Sequence, residues 1–207
     1  MHYDLTHLTQ SPEQNVIGPV QDDEALLLFS LVRCCRIKRI VEVGAGDGYS
    51  ARNFLRAAGW APDAIVYSID SEPVTELGEN HVVIQKCASK VEAGDLSMCP
   101  VELIFFDCHD FDAQMTLFHR LRADGVILDS TLIVLHDTNL HPGRIGHGDY
   151  MIEGGWVHQK CERRMVNALH AMGYDCLPLT TKIDSHGPQL PFRHGLTICR
   201  RFSELVV

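Results

Sequence analysis

Short apolar runs alternate with amphipathic segments along most of this chain, and that alternation limits its fold more than any other feature. "RIVEV" (39–43), "AIVYSID" (64–70), "HVVIQKC" (81–87), "VELIFFD" (101–107) and "TLIVLHD" (131–137) read as strands. They are rich in Val, Ile and Phe and nearly continuous in apolar character, as strands covered on both faces are. Between them lie helical patterns. "DDEALLLFSLVRCC" (22–35) predicts a helix with Asp22 as N-cap and acids in its first turn. "GYSARNFLRAAG" (48–59) sets Phe54, Leu55 and Ala58 on one side, with Gly59 as a stop. "DFDAQMTLFHRLRADG" (110–125) turns Met115, Phe118 and Leu121 inward, and "VHQKCERRMVNALHAMGY" (157–174) reads as a long helix. A short helix or turn is expected at "SEPVTELGEN" (71–80), capped by Ser71, and a short helix at "SKVEAG" (89–94). The chain closes on two strands, "DCLPLTT" (175–181) and "GLTICRRF" (195–202), with a loop and no helix between them.

Strand–helix alternation requires a parallel sheet with helices on both faces. Two strands joined without a helix make one of them antiparallel. The expected fold is therefore a doubly wound, mostly parallel, seven-stranded Rossmann-like sheet with one antiparallel strand near the C-terminus. At 207 residues one domain is expected over 1–207. It would carry an irregular arm at 1–20 and a loop or lid at 138–157.

Composition narrows the function classes. A net charge of -9 argues against a nucleic-acid partner, whose phosphates favour a basic surface. No apolar run reaches membrane-span length, and residues 1–19 lack a basic-then-apolar leader pattern, so a cytoplasmic protein is expected. Eight cysteines include no Cys-x-x-Cys pair, which removes the zinc-ribbon and thioredoxin signatures and predicts free thiols. Twelve histidines are many for this length, and His136, His141, His147 and His158 fall in one region. The last three match no standard zinc spacing. A small-molecule partner is expected, and self-association into a homo-oligomer is left open.

The first strand runs into "EVGAGDG", which places Gly44, Gly46 and Gly48 within five positions. Ligands in open α/β sheets sit beyond the carboxyl ends of the strands, where this loop lies. A dinucleotide fingerprint needs its third glycine at position 49, which is Tyr49 here. The pattern E-x-G-x-G-x-G, starting at Glu42, resembles motif I of class I S-adenosylmethionine-dependent methyltransferases. That resemblance implies S-adenosylmethionine as cofactor, held by Glu42, Gly44, Ala45, Gly46 and Ser50. Glu42 would take the ammonium, directly or through water. Asp70, ending the second strand, would take the ribose hydroxyls, with Ser71 beside it. Cys87 and Ala88 would lie against the adenine, and Asp107 would border the cofactor. Many relatives carry Asp where Ala88 stands, so adenine contact is expected to be apolar and through backbone.

The fourth and fifth strands end in "IFFDCHDFDA" and "VLHDTN", and neighbouring strand ends face one crevice. These segments resemble a methyltransferase subfamily that includes macrolide sugar O-methyltransferases and cephalosporin-hydroxylase-like proteins. In its metal-dependent members the matching acids hold magnesium. The resemblance implies Asp107, His136 and Asp137 as ligands of a divalent metal, Mg or Mn, and His109 or His136 as the base that takes a hydroxyl proton. A histidine in the ligand set disfavours magnesium and suits a nitrogen-tolerant ion. The 138–157 loop is expected to be a substrate lid with Tyr150 and Trp156 as contacts. The expected activity is methyl transfer to a small-molecule hydroxyl. Two rivals remain at this stage: a methyltransferase-like protein that binds the cofactor without catalysis, and a nicotinamide-dependent oxidoreductase, which Tyr49 disfavours.

Overall fold

Nine strands and four helices form in the computed structural model, which describes residues 20, 22–138, 149–152, 155–158, 160–179 and 195–201. The helices are α1 (Asp22–Cys34), α2 (Tyr49–Ala58), α3 (Phe111–Ala123) and α4 (Lys160–Ala171). The main-sheet strands are β1 (Arg39–Val43), β2 (Ile65–Asp70), β3 (His81–Gln85), β4 (Leu103–Phe106) and β5 (Leu132–Leu135). A hairpin of β6 (Asp149–Ile152) and β7 (Gly155–His158) follows, then β8 (Asp175–Leu179) and β9 (Leu196–Arg200).

The main sheet has seven strands in the order β3-β2-β1-β4-β5-β9-β8. β1 pairs in parallel with β2 and β4, β2 with β3, and β4 with β5. β9 runs antiparallel to both neighbours, β5 and β8. Six parallel strands and one reversed strand are what the closing strand pair predicted. The order places the topological switch between β1 and β4, where ligands of such sheets bind.

Side chains alternate across the sheet and build a core on each face. Val41, Val43, Ile104, Phe106, Ile133 and Leu135 point to one side, where Leu117, Phe118 and Leu121 of α3 and Met165 and Leu169 of α4 cover them. Ile40, Leu103, Phe105 and Val134 point to the other, beneath Ala25, Leu28 and Val32 of α1 and Phe54 and Ala57 of α2. Phe54 meets Phe105 edge-on at 5.6 Å between ring centroids.

Of the helix or turn expected at 71–80 the structure shows the turn, with bends and extended backbone before β3. Other local expectations change. The 89–94 helix resolves into two single 3-10 turns, Ala88–Lys90 and Ala93–Leu96. Part of the 138–157 loop is the β6–β7 hairpin, and α4 begins at Lys160, after it. Leu55 and Met115 are half-buried, packed on the core's margin rather than within it. Among the described residues no helix is long and apolar enough to cross a membrane. The expected arm over residues 1–19, the remainder of the 138–157 loop, and the Tyr150, Trp156 and His158 side chains lie outside the described residues.

Candidate active site

The parallel ladder continues one residue past the strands and sets the site. The Gly44 N–H donates to Ile69 O at 2.9 Å, that of Asp107 to Val43 O at 2.8 Å, and that of His136 to Phe106 O at 3.0 Å. Gly44, Asp107 and His136 are thereby brought side by side at the switch point. Gly44 has φ +92°, and a Cβ there would lie 2.4 Å from Asp107 O. The β1 loop can press against the end of β4 only because position 44 is glycine. Gly46, at φ +48°, is different: among the described residues an added Cβ would meet no atom within 4 Å.

Asp70 organises the glycine loop. Its Oδ2 accepts from the N–H of Ala45 at 2.9 Å and of Gly46 at 3.0 Å, and its Oδ1 accepts from Glu72 N–H at 3.0 Å. Three donors leave room for one more on Oδ1. Glu42 lies beneath the loop and is fully buried. Ser50 Oγ donates to its Oε1, and Ser68 Oγ to its Oε2 at 2.7 Å. Behind Ser68, His81 Nε2 stands 2.8 Å from the hydroxyl, while His81 Nδ1 accepts from Leu77 N–H. Burial pushes the Glu42 carboxyl up to about 7, against the two serine hydrogen bonds that favour its ionised form. Glu42 thus underpins the loop through Ser50 with no surface of its own toward solvent. Past β3, Ala88 is buried, Ala45 likewise within the loop, Cys87 is half-buried beside Ser89, and Ser71 is exposed.

Across the switch point, Asp107, His109 and Asp137 offer one ligand atom each, all within 4.8 Å of one another. His109 (φ +55°) and Asp137 (φ +55°) both take the left-handed backbone region, unusual for residues with a Cβ. Among the described residues the group that could hold a metal includes His109, whereas His136 of the expected set is engaged in hydrogen bonds of its own. His136 is buried, with Nδ1 3.0 Å from Asp107 Oδ1 and Nε2 3.1 Å from Glu24 Oε2. Neither nitrogen has a lone pair to spare. Burial lowers the His136 pKa, but Asp107 and Asp137, with the hydrogen bonds to Asp107 and Glu24, carry it well above the usual value. It is an imidazolium locked among carboxylates.

His109 is held by a residue the sequence reading did not single out. Glu162 of α4, fully buried, uses one oxygen, Oε1, for three contacts. It accepts from His109 N–H at 2.9 Å, stands 3.1 Å from His109 Nδ1, and accepts from Gln114 Nε2 at 3.0 Å. His109 Nε2 then faces Asp137 Oδ2 at 3.4 Å. Burial lowers the His109 pKa, but the Glu162 hydrogen bond and charge, with Asp107 and Asp137, push it up to about 9. Both shifts favour the protonated imidazole near neutral pH. Asp107 is raised by burial and its neighbour Asp137, opposed by the two imidazoles.

Glu24, Gln114 and Glu162 share a pattern that makes them visible afterwards. Each heads an apolar stripe at helical spacing: Glu24 with Leu28 and Leu31, Gln114 with Leu117, Phe118 and Leu121, Glu162 with Met165, Val166 and Leu169. A carboxylate or amide on a buried stripe needs a buried partner. Here the partners are the site histidines or, for Gln114, Glu162 itself.

No family model matches the sequence, and no curated protein matches it. Solved structures do match in fold. TomG from Streptomyces achromogenes, an O-methyltransferase of tomaymycin synthesis solved with S-adenosylmethionine, is 18% identical, with 89% of this chain and 82% of that one covered and a TM-score of 0.58. The S-adenosylhomocysteine-bound methyltransferase PaMTH1 from Podospora anserina is 14% identical, covering 95% and 85%, with a TM-score of 0.57. A candidate caffeoyl-CoA O-methyltransferase from Staphylococcus aureus is 16% identical, covering 92% and 88%, with a TM-score of 0.62. The chain has the Rossmann-like α/β fold of these methyltransferases.

Proposed function

We propose that this chain is a single-domain S-adenosylmethionine-dependent methyltransferase acting on a hydroxyl of a small molecule, with a divalent metal at Asp107, His109 and Asp137. The observation that carries the reading is the contact of Gly44 with Asp107. It joins a positive-φ glycine loop to a carboxylate–imidazole cluster at one switch point. The methyltransferases of like fold support it, two of them solved with S-adenosylmethionine or S-adenosylhomocysteine.

The residues present fit both groups. Among the described residues no atom crowds Gly46 and Asp70 has acceptor capacity left, and Ala88 offers an apolar wall. Two carboxylates and an imidazole within 4.8 Å form a donor set for a divalent cation. When bound, the cofactor supplies an electrophilic methyl group, and the metal makes a coordinated hydroxyl more acidic. The chain's own task is to orient. Asp70 would fix the ribose, and Ser71, Cys87 and Ala88 the adenine side. Glu42, through Ser50, holds the loop in shape. His136 keeps Asp107 in place from behind. His109, steadied by Glu162, can hold a proton at Nε2 or give up that position to a cation. Fixing the acceptor oxygen in line with the sulfonium is the main source of rate in such a displacement. Free thiols at the seven described cysteines suit a cytoplasmic setting.

Titration calorimetry tests the cofactor. S-adenosylmethionine and S-adenosylhomocysteine are expected to bind and NAD to give no heat, with Asp70→Ala weakening the first two by about tenfold or more. Binding of NAD in their place would refute the reading. A labelled-methyl assay over hydroxylated small molecules, with and without chelator, then tests catalysis and the metal.

A further inference from the structure

The geometry points to a first-row transition ion (manganese, iron, cobalt or zinc) in preference to magnesium or calcium at Asp107–His109–Asp137, with Glu162 as the residue that positions His109 for it. The inference deepens the proposed function and rests on its reading of these residues as a metal site.

Magnesium and calcium are held by oxygen donors, whereas manganese, iron, cobalt and zinc accept imidazole nitrogen readily. Among the described residues the imidazole grouped with the two acids is that of His109, whereas both nitrogens of His136 are engaged by Asp107 and Glu24. Glu162 settles which nitrogen of His109 does so. Its Oε1 lies 3.1 Å from Nδ1 and also accepts the His109 backbone N–H, so ring and backbone are gripped by one oxygen. Nδ1 then carries the proton toward Glu162. Nε2 faces the acids, 3.4 Å from Asp137 Oδ2. A carboxylate behind the non-ligating nitrogen is the usual outer partner of a metal-bound histidine, fixing its tautomer and strengthening its donor atom.

Glu162 is itself built for the task. It is fully buried, so its charge is costly unless used. Gln114 clamps the same Oε1 from α3, and among the described residues Oε2 has no hydrogen-bond partner. The carboxylate is thus committed through one oxygen to His109 from two directions. A plain tie between α4 and the β4–α3 turn would need neither the ring contact nor the alignment of Nε2 with two acids.

The test uses the whole chain freed of metal, without cofactor or acceptor. Cobalt(II) is titrated in and read by its visible absorption, and manganese(II) by electron paramagnetic resonance of the free ion, each in competition with magnesium and calcium. Native protein is expected to bind cobalt and manganese at least about tenfold more tightly than magnesium. His109→Asp should reduce that preference by about tenfold or more by restoring an oxygen ligand. Glu162→Gln, of nearly the same shape, should weaken cobalt binding roughly 10–100-fold and leave magnesium binding nearly unchanged. Circular dichroism and thermal melts confirm that each variant is folded. Magnesium binding as tight as cobalt in the native chain, or an unchanged preference in His109→Asp, overturns the metal assignment. A Glu162→Gln chain that melts lower yet binds cobalt like the native protein overturns the positioning role. Because S-adenosylhomocysteine binding is measured separately, its failure would strike the methyltransferase reading alone, and a silent metal titration would strike the metal alone.

Discussion

A methyl group at position 44 has nowhere to go. The added carbon would lie 2.4 Å from one backbone atom of residue 107 and 2.8 Å from another of residue 108, at a backbone angle that disfavours any side chain. Gly44→Ala is expected to destabilise the fold by about 2 kcal/mol or more, read as a lower urea midpoint. The sequence reading assigned the bare backbone of this loop to a ligand. Among the described residues the close neighbour of Gly44 is the next strand end, whereas an added Cβ at Gly46 would meet no atom within 4 Å. Sequence marks where side chains are absent but not what takes their space. Glu42 supports a second prediction. Its carboxyl titrates at 4.5 when free and at about 7 when folded. Between these values the folded chain keeps a proton that the unfolded chain has lost, so stability falls as pH rises from 4.5 to 7, by roughly 3 kcal/mol. Glu42→Gln removes this slope. Comparing urea unfolding of the two chains from pH 4 to pH 8 should show the variant gaining on the native protein across that window and little further change above it.

At the scale of elements, alternation in the sequence located every main-sheet strand to within about two residues, helped by central strands that are buried on both faces and apolar throughout. Segment 71–80, read as a short helix or turn, takes the turn, because capping residues without an apolar stripe do not make a helix. The β6–β7 hairpin was missed because glycines and histidines there hid two short strands. The polar ties between helices were missed for a different reason. Glu24, Gln114 and Glu162 act on residues 48 to 171 positions away in the chain, and Glu24 looked like an ordinary first-turn acid. Glu24 holds α1 to both the His136 ring and, at 2.9 Å, the Gly195 N–H ahead of β9. Removing one partner of a buried charged pair leaves the other uncompensated. Glu24→Ala should therefore cost about 3 kcal/mol in chemical denaturation. Glu24→Gln, which keeps a hydrogen-bonding side chain, should cost less.

At the scale of the whole molecule, the doubly wound sheet with one reversed strand was legible, since connection type dictates strand direction. The chemistry at its edge was half legible. Strand-end position singles out Asp107 and Asp137 in the sequence, whereas the burial of the His136 ring between Asp107 and Glu24 appears only in the packed structure. The Gly44–Asp107 contact makes the two halves of the proposed site one rigid junction. Occupancy of either half then biases the geometry of the other, and thermodynamic reciprocity requires both effects to be equal in factor. Calorimetry of S-adenosylhomocysteine with and without saturating cobalt, and of cobalt with and without saturating S-adenosylhomocysteine, should return one common ratio different from unity. The glycine that first looked like clearance for a ligand would then act as a hinge pin through which two ligands sense each other.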